Sequence, residues 1–177
     1  NQGILSSCTG YGNGYYAMSI MYNKALNITD SILKSNFAFS ANFPYDVIKK
    51  EGAANPIDVL NNLKEIGNLR YIEYDILDMS QKVGNETINK FYKNASKFKI
   101  KHFQCIVDPE INKKGTGQRT KSIDYIKCAL INGYPVTVNI SQTSSFNNLK
   151  KKTYVPSSND FLVGENMITI LGYDDIS

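Results

Sequence analysis

The sequence has no tryptophan, one histidine (His102) and three cysteines (Cys8, Cys105, Cys128) in 177 residues. Three cysteines without close spacing exclude a dense disulfide framework and a zinc knuckle. No apolar run approaches the roughly 20 residues of a membrane-spanning helix, so no membrane span is expected. Charge of one sign is scarce too. The net charge is +4, and runs such as Lys150-Lys151-Lys152 read as solvated loop, so no nucleic-acid partner is expected. There is no initiator methionine and no signal-peptide pattern. The chain opens on Asn1 and reads as a trimmed or processed piece.

What is present is ordinary for a globular protein: 42% hydrophobic and 20% charged residues. The length suits a single domain, 1–177, with one substantial core. Tyr11, Tyr15, Met18 and Tyr22 recur at helical steps after Cys8 and predict an amphipathic helix to about Leu26. Asp30 or Thr29 can cap a short helix. Pro56 to Ile66 reads as a helix with Pro at its start and Gly67 at its end. Glu86 to Lys97 is a further helix, and Phe98 to Phe103 alternates as a half-buried strand does. Asn112 to Thr120 reads as a loop. Ser122 to Asn132 follows as a helix capped by Ser122, with Ile123, Ile126 and Leu130 inward. Val136 to Ile140 and Met167 to Leu171 are strands. Helices in the first half and strands in the second predict an α+β fold.

Cys8 stands at the predicted start of a helix, where the positive end of the dipole favours a thiolate. Gln2 lies six residues upstream. Its amide, with a backbone N–H, can donate to an oxyanion formed beside the sulfur. A lone cysteine at a helix start is also compatible with a small buried apolar residue. Gly115-Thr116-Gly117 lacks the strand-to-helix setting and following Lys-Ser/Thr of a phosphate loop. Asp174-Asp175 reads as a turn rather than a metal pair, because adjacent side chains at a strand end diverge.

Taken together, these segments resemble the papain family of cysteine peptidases. That family carries Gln-Gly-x-Cys-Gly-Ser-Cys-Trp, and Gln2-Gly3 and Ser7-Cys8 match it in place. Ser40 to Tyr45 is similar to its Leu-Ser-Pro-Gln-Phe-Leu-Tyr segment, and Gly52 to Gly67 to its Gly-Gly-x-Pro helix. Ile123 to Ile140 is similar to its helix and following Asn-Gly-Pro-Val-x-Val strand. Gly164 to Asp175 aligns with Gly-Gly-His-Ala-Val-x-Ile-Val-Gly-Tyr-Asp-Asp. The resemblance implies a helical left subdomain and a β-rich right subdomain with a cleft between them. It implies peptide-bond hydrolysis through a thioester on Cys8, with Gln2 as oxyanion donor. Ala53, Ala54, Asn139 and Met167 would form the substrate-binding wall. No cofactor and no metal are implied, and the expected partner is a peptide or protein in the cleft. By resemblance alone the compartment would be secreted, lysosomal or vacuolar; the oligomeric state is left open.

The departures weigh as much. Asn166 stands where the family has its catalytic histidine. An amide cannot take a proton from Cys8 or return one to a leaving amine. Thr9 replaces the aromatic residue after the nucleophile, and Ala53-Ala54 replace the two glycines of the cleft wall. Leu5 and Glu51 stand where the family has two half-cystines. The family's first strand and its Asn-Ser-Trp-Gly segment have no counterpart in 1–177. His102 reads as an ordinary strand residue. Two expectations follow: an impaired, peptide-binding pseudopeptidase, or an active cysteine endopeptidase whose base comes from elsewhere.

Overall fold

The computed structural model describes residues 7–48, 54–75, 85–107, 116–147, 154–155 and 158–175. Gln2, Leu5, Glu51 and Ala53 lie outside the described residues.

Helix α1 covers residues 8–25, as the tyrosine spacing predicts, but it is not uniform. Its middle, Gly10–Ala17, is a π-helix, and α-helical geometry resumes over Met18–Ala25. Gly10, Gly12 and Gly14 lie within the π stretch, and glycine lowers the advantage that α-helical geometry otherwise has. Helix α2 (Ser31–Asn36) is capped by Asp30, whose carboxylate accepts from the N–H groups of Ile32 and Leu33 at 2.8 and 2.9 Å. Helix α3 (Asn42–Ile48) follows. Helix α4 (Pro56–Glu65) starts behind an Asn55 cap with proline in its first turn. Beyond its end Gly67 adopts φ +100°, a conformation that other L-residues enter only under strain. Helices α5 (Tyr71–Tyr74) and α6 (Asn85–Ala95) complete the helical half.

Two apolar clusters hold this half together. Phe43, Leu69, Tyr74, Phe91 and Ala95 form one, and Met18, Phe39, Val59 and Leu63 the other. Beside the second, Arg70 is buried in a box of rings. Its guanidinium carbon lies 4.2 Å from the centroid of Tyr22, 4.3 Å from Phe39 and 4.4 Å from Phe98. Its Nη1 donates to the Phe37 carbonyl at 2.5 Å.

Phe98 to Phe103 is not a strand. Phe98 and Ile100 do face the second cluster, so the alternation reads burial correctly. The backbone, however, bonds to helix ends and a loop rather than to a strand, through Phe98 N–H to the Ala95 carbonyl, Asn68 N–H to the Phe98 carbonyl and Ile100 N–H to the Leu63 carbonyl. A strand needs a strand to pair with.

The second half opens on helix α7 (Thr116–Ile131), which starts inside the predicted loop and does not use Ser122 as its cap. Ile123, expected inward, is 52% exposed. Strand β1 (Val136–Thr143) leads through the short helix α8 (Ser144–Asn147) to strand β2 (Leu162–Ile170). The two strands pair antiparallel, with Val136 opposite Ile170 and Ile140 opposite Asn166. Strand β1 runs past its expected end at Ile140, whereas β2 starts before Met167 and ends at Ile170, short of Leu171. The sheet packs on α1: the Thr169 hydroxyl donates to the Gly12 carbonyl at 3.0 Å. Helix and strand are thus both present, as an α+β class requires. No helix among the described residues is long and apolar enough to cross a membrane.

Candidate active site

Cys8 begins helix α1. The Ser7 carbonyl accepts the first helical bond, from Tyr11 N–H at 3.0 Å, so the N–H groups of the first turn point toward the region of the thiol. Such a terminus carries partial positive charge and favours an anion beside it. The Cys8 side chain is half-buried and unbridged. Its neighbours Ser7 and Thr9 are buried, with hydroxyls that have no partner among the described residues.

The π stretch after Cys8 decides what faces the sheet. In an α-helix, residues five apart differ by about 140° around the axis. A π-helix closes on i→i+5 bonds and brings such residues near one another. Tyr11 and Tyr16 accordingly line one crevice together, opposite Asn166, Met167, Ile168, Thr169 and Leu171. Its volume is about 350 Å³. Contact between helix and strand is close at Gly12: a Cβ there would lie 2.5 Å from Met167 Cγ. The absence of a side chain at Gly12 is what lets β2 approach.

Asn166 and Met167 are therefore brought to α1, at Tyr11, Gly12 and Tyr16; Cys8 itself is not among the described lining of the crevice. Asn139 stands directly across from Met167 on the neighbouring strand. Asn139 is exposed on β1 and donates its amide to Glu165 Oε2 at 2.8 Å. Ala54 is half-buried against the Met18–Leu63 cluster. Gln2 and Ala53 fall outside the described residues. His102 is exposed, two residues past the Ile100 anchor to the end of α4, and does not line the crevice. Cys105 and Cys128 are exposed and free. Asp175, read as part of a turn, sits at a bend past the end of β2 and pairs with Lys127.

Sequence reasoning missed Tyr16. At helical spacing it falls away from Tyr11, and only the π register turns it toward β2. Tyr11 lines the crevice as well, and Tyr15 packs its ring against both Tyr11 and Tyr16. Burial raises the ionisation of the Tyr11 and Tyr15 phenols above the usual range, and the Asp75 carboxylate adds to the effect.

No family model matches the sequence, and no curated protein matches it. A solved structure does resemble it: xylellain, a cysteine protease from Xylella fastidiosa, with a TM-score of 0.67 and 22% sequence identity. The alignment covers 99% of this chain and 66% of xylellain, so the chain spans about two thirds of that protein. From the helix that opens on Cys8 to the strand that packs across it, the chain shares the fold of that cysteine protease.

Proposed function

We propose that the chain is a papain-like cysteine-peptidase homologue of impaired turnover, a pseudopeptidase whose cleft binds a peptide or protein segment. In this reading 1–177 is one papain-like domain, with a helical left and a β-rich right subdomain. Gln2 is the oxyanion donor, Cys8 the nucleophile position and Asn166 the vacated base position. Ala53, Ala54, Asn139 and Met167 border the bound chain.

One observation carries the proposal. Asn166 lines the crevice beside the first turns of α1, and the described lining contains no histidine, carboxylate or amine. Peptide hydrolysis through a thioester needs a proton moved twice: off the thiol before attack, then onto the leaving amine. A carboxamide does neither at ordinary pH. The helix terminus can stabilise negative charge near Cys8, but it supplies no exchangeable proton. What remains is a shaped, largely apolar cleft with polar edges, which is a binding surface.

A second reading is an active cysteine endopeptidase, with Cys8 forming the thioester and a base supplied from elsewhere. The half-buried, unbridged thiol at a helix start favours it.

The rate of iodoacetamide labelling of Cys8, measured from pH 4 to 9 with Cys105 and Cys128 replaced by serine, separates the two. An imidazolium partner keeps a family nucleophile reactive well into acid. Without one, the rate should climb steadily with pH and remain slow at pH 5. Asn166→His should raise the acid-side rate. A fast plateau below pH 6 in the chain with Asn166 intact would select the active peptidase.

A further inference from the structure

The crevice beside Asn166 has an aromatic wall that the peptidase fold does not by itself require. Tyr11 and Tyr15 have ring centroids 5.9 Å apart, Tyr15 and Tyr16 meet edge-on at 5.0 Å, and Tyr71 meets Tyr15 at 5.9 Å. Tyr16 is 49% exposed and Tyr71 40%. The wall therefore runs from the crevice, where Tyr11 and Tyr16 take part, out to the start of α5. An aromatic face carries negative electrostatic potential and attracts cations.

The charge nearby has the same sign. Asp75 ends α5 with its carboxylate held by Ser40 Oγ, by the Ala41 N–H at 2.9 Å and by the Asn42 N–H at 3.3 Å. Its charge is felt at both Tyr11 and Tyr15. No lysine or arginine is among the described lining of the crevice. The chain already satisfies one guanidinium by this chemistry: Arg70 lies over Tyr22, Phe39 and Phe98.

We propose that the crevice formed by Tyr11, Tyr16 and Asn166 recognises a basic side chain, arginine or lysine, of the peptide bound in the cleft. The proposal rests on the reading of the cleft as a peptide-binding surface. An apolar side chain could fill the same volume against Met167 and Leu171, but it would gain no electrostatic attraction from Asp75 or from the tyrosine faces. A cation on a long aliphatic stem uses both halves, its methylenes against β2 and its head between the rings.

The test uses capped, fluorescently labelled hexapeptides identical except for one residue: arginine, its uncharged isostere citrulline, or leucine. Anisotropy should show the arginine peptide binding about tenfold more tightly than the citrulline peptide. Added salt should narrow that gap. Tyr16→Leu should bring the ratio toward one, and Tyr16→Phe, which keeps the aromatic face, should retain it. Equal affinity for all three peptides would overturn the cation proposal and leave the peptide-binding reading intact. A second probe, N-acetylarginine amide, is followed by tyrosine ring resonances. If it binds where its citrulline counterpart does not, and no hexapeptide binds, the cation site stands and the peptide reading falls. If neither amide nor hexapeptide binds, both fall.

Discussion

Tyr74 holds its phenolic proton under two influences, burial first and then the carboxylate of Asp46. The hydroxyl donates to Asp46 Oδ2 at 3.0 Å, and the group ionises well above the usual tyrosine range. The sign of the linkage follows. In the unfolded chain the proton leaves near pH 10, while the folded chain keeps it. Stability from this group is intact below about pH 10 and declines above it, at up to roughly 1.4 kcal/mol per pH unit. Tyr74→Phe should flatten the fall in denaturation midpoint between pH 10 and 11.5. It should cost about 1 kcal/mol at neutral pH through the lost hydrogen bond. An unchanged alkaline slope would assign the effect to other tyrosines, Tyr11 and Tyr15 first. At this scale the sequence was partly legible. The spacing from Gln2 to Cys8 and the Gly164–Asp175 alignment identified Cys8, Asn166 and Met167 as candidates. Tyr16 was not visible, because its position depends on a backbone register that side-chain identity does not encode.

Helix α1 and strand β2 meet at a position where one methyl group is too many. Gly12→Ala places a Cβ 2.5 Å from Met167 Cγ, near the root of that side chain rather than its flexible end. Strand β2 must then move, at a cost of about 1–3 kcal/mol. Loss of the Thr169 hydrogen bond to Gly12 should follow, and amide exchange across β2 should speed up; an undisturbed β2 would contradict the close packing. Helix α3 depends on a different device. The Ser40 hydroxyl accepts from Phe43 N–H at 2.8 Å and donates to Asp75, which also receives Ala41 N–H. Asp75→Ala strips this relay from a part-buried helix start and should destabilise by about 1.5–3 kcal/mol, read from chemical denaturation. Helices whose apolar face is covered, such as α1 and α4, could be read from periodicity. Helix α7 could not be bounded that way: Ile123 and Ile131 are largely exposed, so no buried stripe marks its limits, and Gly115 and Gly117 argued for a loop. The π stretch could not be read from apolar periodicity, although Gly10, Gly12 and Gly14 lie within it.

Across the whole molecule, the order of helices before strands was legible because it follows from apolar spacing, and the fold from several short matches in the right order. The neighbours that each buried group would find were not. Arg70 is the plainest case, a charge sealed among rings supplied by α1, by the turn after α2 and by the stretch after α6. Its consequence is kinetic. The box is complete only when Tyr22, Phe37, Phe39 and Phe98 have converged, and convergence of distant segments comes late because loop closure opposes it. Contacts absent from the folding transition state slow unfolding and leave refolding unchanged. Arg70→Met, which keeps the apolar stem and removes the charge, should therefore steepen loss of the native state by about tenfold for each 1.4 kcal/mol forfeited, with the refolding limb of the chevron unmoved. A slowed refolding limb would put the box in the nucleus instead. On this account the guanidinium acts as a latch on the helical half: it has little part in how fast that half assembles and governs how long it stays assembled.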